Sequence, residues 1–203
     1  MNNKLFFVFT IALGMAVKTA SAAVDPSYVK IKLYEGRVSQ NADCSSSIRL
    51  FVDANPPLTD VLVGPTLGSG AIPNGTYKCF MFKMSDNIHF QPASAVGTHG
   101  ACNTGSDYVT DVAHDETAID PDGTSHATTA GVNDIVWVYF RVGGGNGGGG
   151  AFRPDQGLSL ASAVTVSGDS TRTMVFNFQG AVDEGFNNGA WECGCNAPNM
   201  SFR

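Results

Sequence analysis

Residues Thr76–Met84 read Thr-Tyr-Lys-Cys-Phe-Met-Phe-Lys-Met, and Ile135–Val142 read Ile-Val-Trp-Val-Tyr-Phe-Arg-Val. Side chains on a strand alternate between its two faces. In the first stretch Tyr77, Cys79 and Met81 therefore share one face, and Phe80, Phe82 and Met84 share the other. Both faces are apolar, so both must be covered. The second stretch is almost continuously apolar, with β-branched and aromatic residues dominating. Strands of this kind belong in the middle of a structure, with material packed on each side.

Around these two, further runs have strand character. Tyr28–Tyr34 alternates Val29, Ile31 and Leu33 against Lys30 and Lys32, a period of two with one buried face. Ile48–Asp53, Thr59–Gly64, Tyr108–Val112, Ser162–Gly168 and Thr171–Gly180 are similar in composition. Turn formers separate them, including Asn55-Pro56-Pro57, Pro73-Asn74-Gly75 and Pro121-Asp122-Gly123. Helical periodicity is weak throughout residues 23–203, so the expected fold is all-β: a single antiparallel β-sandwich, with a small β-barrel as the alternative. A membrane barrel is disfavoured, because the final segment carries Pro198 and lacks the alternation of a lipid-facing strand.

The N-terminus has the pattern of a secretory signal peptide over residues 1–22: Lys4, then an apolar stretch from Leu5 to Val17, then Ala20-Ser21-Ala22. Its apolar run is shorter than the roughly 18 residues of a spanning helix. Cleavage after Ala22 would remove 22 of the 203 residues and, with Lys4 and Lys18, two of the 12 basic groups, leaving 181 residues with 10 basic and 18 acidic groups. That is one domain, 23–203, with a formal charge of −8. An acidic chain without clustered Lys and Arg is a poor partner for nucleic acid, and no transmembrane segment follows the signal. The predicted location is the periplasm, the outer surface or the medium. Within the domain, Arg141–Gly157 holds a glycine-rich loop at 143–150, read as a flexible connection between two strands.

Export decides how the cysteines are read. Thiols outside the cytoplasm are mostly oxidised, so Cys44, Cys79, Cys102, Cys193 and Cys195 are disulfide candidates, and five leaves one over. Cys193 and Cys195 stand one residue apart, a spacing open to a redox couple, a pair of metal ligands or two separate disulfide halves. A bond directly between them would close a small strained ring suited to redox work, yet no thioredoxin-like setting surrounds them. The expectation is stapling, with Cys79 to Cys102 as one bridge and a tail cysteine reaching Cys44 as the other.

Signals for chemistry are sparse. The four histidines His89, His99, His114 and His126 fall within 38 residues, near the acidic groups Asp120, Asp122 and Asp134. Imidazole and carboxylate ligate Zn and Cu, and Asp120-Pro121-Asp122-Gly123-Thr124 carries a fragment of a calcium loop, but no spacing among them is diagnostic. Gly157–Ala161 lacks the last glycine of a nucleophile elbow, Ser167–Ser170 matches a protease fragment only by its letters, and Asp183-Glu184 are neighbours rather than opposed carboxylates.

Three stretches, Val29–Ser46, Leu62–Phe90 and Gly157–Gly168, resemble exported all-β proteins of uncharacterised function from predatory and environmental Gram-negative bacteria. The Gly-Thr-Tyr-x-Cys step at Gly75–Cys79 is similar to that of bacterial domains of unknown function with an immunoglobulin-like or prealbumin-like sandwich. The resemblance implies a fold and a compartment and carries over no catalytic residue. The resulting expectation is a non-enzymatic exported β-sandwich acting in binding or assembly at the bacterial cell envelope, without a cofactor. Its partner would be an envelope component, another protein or a second copy of itself. One alternative is a periplasmic protein binding divalent metal ions (Zn, Cu or Ca) through residues 89–134; another is a secreted hydrolase.

Overall fold

The computed structural model describes residues 22–64, 72–145, 148–168, 174–187 and 189–202, so the predicted signal segment lies outside it except for Ala22. The described chain is all-β, with strands β1 (Pro26–Ile31), β2 (Leu33–Ser39), β3 (Ile48–Val52), β4 (Thr59–Asp60), β5 (Gly75–Tyr77), β6 (Cys79–Ser85), β7 (Asn87–Pro92), β8 (Tyr108–Asp111), β9 (Thr117–Ile119), β10 (Ser125–Ala127) and β11 (Ile135–Arg141). After a 3-10 turn at Gly148–Phe152 come β12 (Leu158–Ser159), β13 (Val164–Val166), β14 (Met174–Asn177), β15 (Val182–Asn187), β16 (Ala190–Cys195) and β17 (Asn199–Phe202). None of its helices is long and apolar enough to cross a membrane among the described residues.

Two sheets dominate. A four-stranded sheet runs β4-β1-β7-β8 and a five-stranded sheet runs β12-β11-β6-β2-β3, the β11–β12 pair alone being parallel within it. Two-stranded ladders join β5 to β13, β9 to β10, β14 to β17 and β15 to β16. The two strands with apolar character on both faces, β6 and β11, pair in register from Ile135↔Ser85 to Arg141↔Cys79 and lie inside the larger sheet. Phe80, Phe82, Met84, Val136, Val138 and Phe140 point into the main core, where Val29, Ile31, Ile88 and Phe90 of the smaller sheet meet them. Cys79, Met81, Trp137 and Tyr139 face outward and form a second buried cluster with Cys44. This two-sided burial makes the fold sandwich-like.

Two of the predicted strands are each divided by a single residue. Tyr28–Tyr34 is interrupted at Lys32, where the chain leaves the four-stranded sheet as β1 and enters the five-stranded sheet as β2. Asp86 performs the reverse crossing between β6 and β7. The crossings stand side by side, since Ser85 N donates to Lys32 O at 3.1 Å. A strand that bends from one sheet to the other forms a corner and leaves its own backbone to be satisfied across it. Similarly, Lys78 divides Thr76–Met84 into β5 and β6, so Tyr77 belongs to the main core while Cys79 and Met81 face the second cluster.

The disulfides correct the expected pairing. Cys44 bonds Cys79, and Cys102 bonds Cys193 across 91 residues, leaving Cys195 as a buried free thiol. Cys79 faces the outer cluster that the 40–46 turn covers, which puts Cys44, and not Cys102, within reach. The tail is tied to the body as a staple, although through Cys102. Two disulfides fit an oxidising, extracytoplasmic setting.

The glycine-rich loop is held at several of its described residues. Gly145 N donates to Gly157 O at 2.9 Å, and the 3-10 turn is anchored by Ala151 and Phe152, both buried. Gly144 passes so close to the Leu158 carbonyl that any side chain there would collide with backbone. Burial of Phe152 and this close approach offset the entropy that free glycines would keep. Residues 146 and 147 lie outside the described residues.

Candidate functional site

The sheets do not fill the space between them. A cavity of about 310 Å³ remains, walled by Ile31 and Ile88 from the smaller sheet and by Leu33, Phe82, Val138 and Phe140 from the larger. Phe152 of the 3-10 turn, Phe176 of β14 and the tail from Cys195 to Pro198 complete it. Well-packed interiors contain few voids larger than a water molecule, and a volume of this size falls at the small end of the range for small-molecule sites. Ala197 and Asn196 are exposed and Cys195 is buried, so the tail forms a rim between cavity and solvent.

Very few polar groups line this space. Thr110, Asp111 and Asn196 do so; Asp111, the one charged residue of the lining among the described residues, pairs with Asn87 rather than with the lining residue Ile88, so its carboxylate lies on the face of β8 opposite that of Thr110. Cys195 is the remaining reactive group. Burial pushes its thiol up to about 12, so it stays protonated at neutral pH and behaves as part of an apolar wall. Its backbone N–H donates to Thr110 Oγ1 at 3.3 Å, tying the tail to β8.

Three carboxylates gather at the Asp86 crossing, beside the cavity wall. Asp86 is completely buried between the lining residues Met84 and Ile88, and its backbone carbonyl accepts from Val112 N at 3.1 Å. Asp111 lies opposite Asn87 in the β7–β8 ladder. Asp86 Oδ1 accepts from Asp134 N at 2.8 Å, whereas Oδ2 is buried with no hydrogen-bond partner. Burial first, then the neighbouring charges of Asp111 and Asp134, push the Asp86 carboxyl up to about 6, against the backbone N–H groups of Asp134 and of Asp86 itself, which favour ionisation. An unsatisfied buried oxygen is uncommon in folded proteins and calls for an explanation.

The predicted metal-site residues are dispersed. His89 lies in β7 between Lys30 and Val109. His99 stacks on Trp191, ring centroids 3.6 Å apart, with Nδ1 3.1 Å from Glu184 Oε2. His114 lies 3.7 Å from Asp111 Oδ2 and 3.9 Å from Asp115 Oδ2, and His126 lies 3.8 Å from Asp120 Oδ1. The carboxylates serve the backbone instead: Asp111 Oδ2 accepts from Gly131 N, Asp115 from Ala130 N, Asp122 from Thr124 N, and Asp134 from Thr129 N, each within 2.9 Å. Among the described residues no group of three or more His, Cys, Asp or Glu side chains is placed to hold a metal ion. Short acidic side chains in a loop of this length readily cap turns, and Asp120-Pro121-Asp122-Gly123 is the turn between β9 and β10.

Asp183-Glu184 also serves structure. Glu184 is 2% exposed at its side chain and accepts from the N–H groups of Thr98, His99 and Ala101 at 2.7, 2.9 and 2.7 Å. Burial would raise its carboxyl, but the backbone donors and the His99 ring outweigh that and hold it down at about 2. The 97–101 loop closes so tightly on it that Gly97, at φ +89°, has no room for a Cβ. Of the protease-like fragment, Asp169 and Ser170 lie outside the described residues.

Sequence reasoning misses Asp86, Asp111 and the cavity itself. A lone Asp between two apolar runs resembles an ordinary turn. The available signal is the distance: Met84 and Ile88 leave too few residues for a hairpin loop, so a buried crossing is the remaining geometry. No family model, curated protein or solved structure matches the chain.

Proposed function

We propose that the protein is a non-catalytic binding module that works outside the cytoplasm, in the bacterial periplasm, at the outer surface or in the medium, and takes a small apolar ligand between its sheets. The observation that carries this reading is the cavity of about 310 Å³ lined by side chains of both sheets and closed by the disulfide-anchored tail. An apolar cavity with a few convergent polar groups is the usual form of a ligand site. The protonated state of Cys195 and the use of the carboxylates as backbone acceptors support a binding role over catalysis. The signal-peptide pattern and the resemblance to exported sandwich proteins support the compartment.

The test uses a neutral apolar dye, N-phenyl-1-naphthylamine, whose fluorescence rises in an apolar site. Saturable one-to-one binding that decanol displaces is the expected result, and Ala197→Trp, which plugs the exposed rim, should weaken it at least tenfold without lowering the melting temperature. Absence of saturable binding, or equal binding by the plugged variant, would overturn the reading.

A further inference from the structure

The wall of the cavity carries a chemistry that narrows the ligand. Five of the chain's 13 phenylalanines line it: Phe82, Phe140, Phe152, Phe176 and Phe178. Three of them form a triangle of rings. Phe82 meets Phe140 with centroids 6.1 Å apart at 69°, Phe82 meets Phe176 at 5.8 Å and 73°, and Phe140 meets Phe176 at 6.0 Å and 55°. These are the edge-to-face and tilted arrangements that aromatic rings prefer, and a further ring entering the group extends them. Met84 and the protonated Cys195 thiol add two polarisable sulfur groups to the same wall, and sulfur packs favourably against ring edges.

Charge is absent from the inward faces. The lining holds no Lys and no Arg among the described residues, and the Asp111 carboxylate is turned to the far side of β8, where the N–H groups of Gly131 and Ala113 donate to it. Thr110 does face inward, because it lies directly opposite the core residue Ile88 in the β7–β8 ladder and opposed residues share a face of a sheet. Its hydroxyl accepts from Cys195 N at 3.3 Å and, among the described residues, donates to no acceptor. A threonine hydroxyl carries an O–H donor as well as its lone pairs, so the wall offers a hydrogen bond to a ligand oxygen.

We propose, on the reading that the cavity is a ligand site, that its ligand is an uncharged bicyclic aromatic compound with an acceptor oxygen, an aryl ketone in the simplest case. Its rings pack among Phe82, Phe140 and Phe176 while its oxygen accepts from Thr110. Volume sets the number of rings: an apolar cavity of roughly 150 Å³ takes one benzene, and about 310 Å³ is about twice that. An ionised carboxylate or ammonium would be buried with no counter-charge facing it, which is costly.

Displacement of N-phenyl-1-naphthylamine from the intact mature protein at neutral pH reads the affinities of 2-acetylnaphthalene, 2-ethylnaphthalene, 2-acetyldecalin and 2-naphthoate. Comparing probes within one variant cancels any loosening of the tail, and comparing their ratios between variants cancels their differing solubility in water. Thr110→Val removes the hydroxyl at nearly constant shape, and the ratio of 2-acetylnaphthalene to 2-ethylnaphthalene affinity should fall about fivefold, as for loss of a neutral hydrogen bond. Thr110→Ser keeps a hydroxyl and should keep the ratio. Phe176→Leu removes one ring of the triangle, and the ratio of 2-acetylnaphthalene to 2-acetyldecalin affinity should fall about threefold. Ionised 2-naphthoate should bind at least about tenfold more weakly than the ketone.

If the dye binds but no probe displaces it, or either ratio is unmoved by its variant, or 2-naphthoate matches the ketone, the ligand class is wrong and the apolar site stands. If the dye itself does not bind, the cavity is not a ligand site and both readings fall together.

Discussion

Two buried carboxylates in this protein meet opposite fates. Glu184, on the β15–β16 arm, is surrounded by three backbone N–H groups and the His99 ring, and its carboxyl is held at about 2. Asp86, at the crossing between the sheets, has the backbone N–H groups of Asp134 and of itself but also two like charges nearby, and its carboxyl is pushed up to about 6. Similar burial thus stabilises one anion and destabilises the other, and the deciding factor is how many donors converge. The arm uses its carboxylate to hold a loop. The crossing leaves a carboxylate with capacity to spare, and that capacity lies beside the cavity.

The largest effect expected is on the arm. Replacing Cys102 and Cys193 together by Ser opens a bridge that spans 91 residues and sits opposite Glu184 in the β15–β16 ladder. Loss of about 2–5 kcal/mol is typical for such bridges. Denaturant unfolding should show it, and hydrogen exchange should report loss of protection at the Thr98, His99 and Ala101 amides. Retained protection would mean that Glu184 holds the loop unaided.

Glu184→Gln should follow in size, with a dependence on pH that identifies the cause. The folded carboxyl lies below its ordinary value of 4.5, so its contribution is present above that value and is lost as pH falls towards 2. The gap in melting temperature between wild type and variant should therefore be full at pH 7 and close on acidification. A gap independent of pH would assign the effect to packing.

Asp86→Asn should give the smallest change and the opposite sign. Here the folded carboxyl lies above its ordinary value of 3.8, so wild-type stability is highest below that value and is lost as pH rises through about 6. At pH 7 the variant should be more stable than wild type, by roughly 1 kcal/mol after allowance for relaxation around the site. At pH 3.5 the two should melt together. A destabilised variant at pH 7 would show that Asp86 already has a counter-charge.

The central strands were legible because apolar residues on both faces of β6 and β11 admit few placements. The oxidised state of four cysteines and the tail's role as a staple were equally readable. Their pairing was not, since spacing carries no information about which residues meet once the chain folds. The crossings at Lys32 and Asp86 were hidden for another reason: a one-residue kink leaves the alternation of Val29, Ile31 and Leu33 intact, so the pattern looks like one strand. The β15–β16 hairpin was missed although Asn188-Gly189 is a strong hairpin dipeptide, because few apolar residues flank it. In the acidic loop, carboxylates that cap turns and carboxylates that ligate metals look the same in sequence.

The ladder in which Glu184 faces Cys193 and Val182 faces Cys195 has a consequence for how the chain matures. Residues two apart on a strand share a face, so sliding β16 by two positions would preserve every inside and outside assignment while presenting Cys195 to Cys102. Such a slip would cost little in hydrophobic burial and would trap the wrong covalent isomer. The grip of the 97–101 loop on Glu184 opposes it, because it ties the segment next to Cys102 to one residue of β15. In the folded ladder the buried carboxylate thus acts as an alignment pin that keeps Cys193, and not Cys195, beside Cys102.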